Sequence, residues 1–212
     1  MPGAPNKPPE SPPAPPPAPT SLESPAQHVL RRLAPSRIAL RLPIWKGNPS
    51  PELAQPFTEA ERLYAAGDAA GADGCLDRLA IRFAEPRWPS LPEPFRQLRV
   101  PIPAPQPPHW DPEHGLATAE KEARRLKRYA ELQLALARAS LEFESQQGTP
   151  VDDLRAHLKE AEAHAARQEL DRSFWGPMDE LWEALRARVP MPRTPPRSPP
   201  PPPAPEAEGA GA

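Results

Sequence analysis

The stretch ESQQGTPVDD, Glu144 to Asp153, decides how this chain folds. Gly148 stops what precedes it, since glycine takes the left-handed conformation that ends a helix. Thr149 and Pro150 then offer a side-chain acceptor and a proline for a first helical position. Asp152 and Asp153 put negative charge where a helix N-terminus wants it. A helix that ends and restarts within two residues predicts an antiparallel helical hairpin.

Working outward, Leu116, Ala119, Ala123, Leu126, Ala130, Leu134, Ala137 and Leu141 recur at three- and four-residue spacing. They form one apolar stripe on a helix of roughly 30–35 residues, about 50 Å long. On the other side, Val151, Leu154, Leu158, Ala161 and Ala165 continue the pattern. A last helix is read from Pro177, with Met178, Leu181, Trp182 and Leu185 on one side, and Gly176-Pro177 makes a break or a kink before it.

Proline sets the limits of the fold. There are 38 in 212 residues, against roughly 5% in an average protein. Proline removes a backbone donor and fixes φ, so these residues belong in tails, linkers and first turns. Residues 1–24 and 190–212 hold almost nothing to bury and are read as disordered, with local polyproline II character. Ten prolines between residues 86 and 112 forbid a long helix. Trp88, Phe95, Val100, Ile102 and Trp110 suit an extended strap lying on the helices, a disordered linker being the alternative.

Residues 25–56 read as a basic, partly ordered segment. Ser24-Pro25 suits a helix start, and Val29, Leu30 and Leu33 a short helix ending before Pro35. Ile38, Leu40, Leu42 and Ile44 alternate, which suits extended chain. The helical domain is placed at 57–189. Thr58 and Glu61 fit a capping box, and a helix follows to about Ala66. Asp68 caps a second helix carrying Leu76, Leu79, Ala80 and Phe83. The expected fold is all-α, about five helices with a long hairpin, a strap and proline-rich ends.

Gly67, Asp68 and Ala72, with Leu76 and Ala80, make residues 58–86 resemble one tetratricopeptide-type helix pair. The family's large aromatic early in the first helix is missing, with Pro56 near its place. The resemblance implies peptide binding in a groove and assigns no residue to it. No second copy of the pattern occurs, and a lone repeat cannot bury its own face.

Candidate chemistry is sparse. HWDPEH, His109–His114, gathers two imidazoles and two acids. Asp111-Pro112-Glu113, however, is what a helix start requires, and no further histidine or cysteine is near. His157 and His164 lie two turns apart on one helix, too far to share an ion. No phosphate-gripping glycine loop and no nucleophile elbow is present. Cys75, the single cysteine, reads as a small core residue. The chain is therefore read as non-catalytic, with no cofactor and no metal.

The formal charge of −2 favours neither nucleic acid nor membrane in bulk. No apolar run approaches a membrane span, and the N-terminus lacks the core of a signal peptide, so a cytoplasmic protein is expected. The expected partner is another protein. It would meet apolar residues left over once the hairpin closes, with Trp175, Trp182 and Leu185 as candidates. The C-terminal arm adds Pro192-x-x-Pro195-x-Arg197 and, overlapping it, Arg193-x-x-Pro196-x-x-Pro199. Both suit polyproline docking with an arginine fixing direction. The alternative is nucleic-acid association through Arg31 and Arg32 within 25–46, and through Lys121, Arg124, Arg125 and Arg128 on the long helix. An enzyme with a dispersed site is the second alternative.

Overall fold

Ser24 and Pro25 open the first helix as their order predicts. In the computed structural model, which describes residues 24–103 and 116–192 (side chains of 116–119 excepted), α1 spans Pro25–Ala39. The Ser24 hydroxyl accepts from the Gln27 amide while the Gln27 side chain accepts from the Ser24 amide, a reciprocal cap. HWDPEH, Trp110, Pro195, Arg197 and most of both proline-rich ends lie outside the described residues.

Every α1 residue from His28 to Ala39 is buried. Residues 25–56 are thus no annex to a domain starting at 57, because α1 is its centre. The helix also runs through Pro35 instead of ending before it. A helical proline leaves the carbonyl four residues earlier without its amide. Here that is Arg31, and the Gln133 side chain reaches its oxygen at 3.5 Å. The alternating run Ile38–Ile44 is not extended either. Ile38 and Ala39 finish α1, and Pro43–Trp45 forms a short 3-10 turn. Trp45 closes it by donating to the Ala39 carbonyl at 2.7 Å.

Around α1 stand α2 (Pro51–Ala65), α3 (Ala69–Ala84), α4 (Leu116–Gln146), α5 (Asp152–Ala166) and α6 (Arg172–Arg188). The described residues contain six α-helices and no strand. α2 starts at Ser50-Pro51 rather than at Thr58, which lies inside the helix. α6 starts at Asp171 rather than at Pro177 and continues without a break. Both helices carry a proline at the sixth position, and the carbonyls it deprives belong to Glu52 and Ser173, two exposed residues that water can serve. Asp68 caps α3 through the Gly71 amide at 2.9 Å, as expected.

α2 and α3 form one antiparallel pair, and α1 packs against both. α4 and α5 form the expected hairpin. Its turn is closed by Gly148 at φ 81, with the Thr149 amide on the Glu144 carbonyl at 2.9 Å and the Gly148 amide on that of Ser145 at 3.0 Å. Thr149 does not cap α5, whose first residue is Asp152. Its hydroxyl instead donates to the buried Glu144 carboxylate at 2.9 Å.

The strap follows α3 as irregular chain with a 3-10 turn at Phe95–Arg99. Phe95 is buried as expected, Trp88 and Ile102 are half-buried, and Leu91 and Leu98 join the core. Val100, just past this turn, faces solvent.

Candidate functional site

Three arginines of α1 and one just beyond it each meet an acid from a different helix. Arg31 donates to both Asp179 oxygens on α6, at 2.6 and 2.9 Å, beneath the Trp175 ring. Arg32 pairs with Asp73 and Asp77 on α3. Arg37 pairs with Glu61 on α2 at 2.7 Å and donates to the carbonyls of Arg186 and Val189. Arg41 pairs with Glu144 on α4. Buried charge is tolerated only when so neutralised and hydrogen-bonded. Arg31 and Arg32 are 1% and 4% exposed, so the nucleic-acid expectation loses both.

Trp175, Trp182 and Leu185 are likewise unavailable to a partner, being 3%, 0% and 1% exposed. The physical reason is that α6 packs on both α1 and α5. Its apolar side is therefore consumed inside the fold. Trp182 donates to Gln133 at 3.0 Å, and Trp175 packs edge-on against Phe174.

Of the stripe expected on α4, Leu126, Ala130, Leu134, Ala137 and Leu141 are buried. Ala123 is exposed, whereas Glu122, Gln133, Ser140 and Glu144 are buried beside Leu126, Tyr129, Leu136 and Leu141. The exposed side of the first half of α4 carries Lys121, Arg124, Arg125, Lys127 and Arg128. Arg124 pairs with Glu120 at 3.0 Å and Arg125 with the buried Glu122 at 2.7 Å. This ridge separates two grooves. One, about 900 Å³, runs between the strap at Pro94 and Ile102 and the α4 residues Arg128, Tyr129 and Leu132. The other, about 500 Å³, lies where α5 ends, floored by Leu126, Ala130, Leu134 and Leu170.

Titratable groups elsewhere serve packing and caps. Tyr129, His28 and Asp73 line up, with the Tyr129 hydroxyl 3.5 Å from His28 Nδ1 and His28 Nε2 3.7 Å from the Asp73 carboxylate. Burial pushes the Cys75 thiol up. His164 and Arg167 hold Glu169 below the usual carboxylate range, and the Ser173 amide does the same to Asp171 at the start of α6. Among the described residues no three of His, Cys, Asp and Glu stand close enough to share an ion, and no helix is long and apolar enough to cross a membrane. Pro192 is half-buried just past α6 and is the one member of the arm motif within the described residues. Comparisons with protein-family models, with curated proteins and with solved structures return no match.

Proposed function

We propose that this protein is a non-catalytic interaction module, an ion-paired helical body that presents a proline-rich arm to a partner protein. The supporting observation is where the arm begins. Val189 is buried and its carbonyl accepts from Arg37 at 2.7 Å, so the body holds the chain just before Pro192. The motif through Pro195, Arg197 and Pro199 follows at once in the sequence. Polyproline segments dock on aromatic grooves at small entropic cost, and a flanking arginine pairs with an acid.

The test is direct binding of the full chain to a panel of purified SH3 and WW domains. At least one domain binds, and Arg193→Ala with Arg197→Ala weakens it about tenfold, the scale of one lost charged contact. Binding to no domain, or equal binding of the variant, would overturn the reading. A salt-dependent mobility shift with DNA or RNA at physiological ionic strength would favour the basic ridge of α4 instead.

A further inference from the structure

The solvent side of α4 is sorted by charge along its length. Lys121, Arg128, Ala135 and Glu142 recur every seven residues, which sets them in one row on the helix. Lys121, Arg128 and Glu142 are exposed and form no ion pair among the described residues. Arg124 and Arg125, by contrast, are answered by Glu120 and Glu122. Glu131 stands off the row, one turn from Lys127. Beside Arg128 and Ala135 opens the groove of about 900 Å³. Its apolar residues Pro94, Ile102, Leu132 and Ala135 are half-buried and so still face solvent in part.

The arm that leaves the body at Pro192 carries the complementary order. Arg193 and Arg197 come first, Pro199–Pro203 follow, and Glu206 and Glu208 come last, with no lysine or arginine after Arg197. Arg188 donates to the Pro150 carbonyl at 3.1 Å, so the arm starts at the hairpin-turn end of α4, the end where Glu142 lies. The spacings agree as well. Glu142 to Lys121 is 21 residues of helix, about 32 Å at 1.5 Å per residue. Arg197 to Glu208 is 11 residues, about 34 Å for a proline-rich chain advancing 3.1 Å per residue. The stretch from Pro192 to Arg197 adds about 15 Å with which to clear the turn.

We propose that the arm docks on its own body along this row. Arg197 meets Glu142, the proline run crosses Ala135 in the groove against Ile102 and Leu132, and Glu206 and Glu208 meet Arg128 and Lys121. Each exposed pair is weak, but the tether holds the arm at an effective concentration of about millimolar. Arg197 and Pro199 belong to the docking motif, so a partner domain has to displace the arm before it binds. That regulatory consequence rests on the function proposed above, whereas the docking itself does not.

The experiment is paramagnetic broadening in the full chain, with no partner present. A nitroxide is placed on Ala207→Cys, and the buried Cys75 is replaced by Ala so that one site is labelled. The amides of Lys121, Arg128 and Ala135 broaden, and those of α2 do not. Glu206→Lys with Glu208→Lys reduces the broadening about threefold, the scale of two exposed charge pairs. Lys121→Glu with Arg128→Glu, two exposed changes that leave the core alone, does the same. Combining the two reversals restores it, which a folding defect could not do. In the unlabelled chain, which keeps Cys75, the shifts of the same amides move on the arm reversal and return on the combined one. Absence of broadening on α4, broadening that either reversal leaves unchanged, or failure of the combined reversal to restore it would each overturn the proposal.

Discussion

Gln168 holds φ 60, and Gly67 and Gly148 hold φ 81. All three close a helix with the same pair of turn bonds, the amides of Asp68, Thr149 and Glu169 each reaching back five residues. An L side chain in the left-handed region costs roughly 1–2 kcal/mol, which glycine avoids. After the entropy glycine loses on folding, Gln168→Gly is expected to add about 0.5–1 kcal/mol and raise Tm by about 1–4 °C in a thermal melt. Glu144 predicts the opposite change. It is fully buried, pairs with Arg41 and accepts from Thr149. Glu144→Ala strands a mostly buried guanidinium and loosens the hairpin turn, a loss of about 3 kcal/mol in urea unfolding. Glu144→Gln, which still offers the hydroxyl an acceptor, loses less.

Between elements, Arg188 at the end of α6 grips Asp153 in the first turn of α5, at 2.5 and 2.7 Å. That pairing holds the Asp153 carboxyl at about 2. The folded value lies below the unfolded one, about 3.9. Its stabilisation is thus complete above about pH 4 and is lost as pH falls toward 2. Asp153→Asn should flatten Tm against pH within that window, as a scanning melt at successive pH values would reveal. Helix starts at Ser24 and Asp68 and the stop at Gly148 were legible because each uses one residue acting on its neighbours. Pro35, Pro56 and Pro177 misled because sequence records the missing amide but not the surroundings of the freed carbonyl: Gln133 reaches the first, and the other two belong to exposed residues. Thr58 and Glu61 carry capping-box spacing inside a helix that Ser50 and Pro51 had already begun.

At the scale of the molecule, α1 reads as a basic strip because its acids lie far along the chain. Glu61 is 24 residues from Arg37, Glu144 is 103 from Arg41, and Asp179 is 148 from Arg31. No local window joins them, so a neutralised centre looks like an exposed cationic surface. The tryptophans of α6 looked spare for a like reason, since α1, which packs against that helix, lies at the other end of the fold's sequence. The same distance hid the groove where α5 ends, which is lined from α4 and from the connection to α6 rather than by any local motif. If α1 is the centre, the rest cannot hold without it. A chain starting at Ile44 keeps α2 to α6 but leaves Asp179, Glu61 and Glu144 without the α1-side arginines they pair with. It is expected to lose near-UV circular dichroism and cooperative melting, whereas a true domain at 57–189 would keep both.

The central helix is also made before the other five. During synthesis it leaves the ribosome long before Asp179, the partner of Arg31 148 residues downstream. At roughly 5–20 residues per second, that interval lasts about 7–30 seconds. Through it the nascent chain carries cationic, apolar surface whose α6 side has nothing to close over it. The order of translation therefore leaves that side of the central helix uncovered until the last helix emerges.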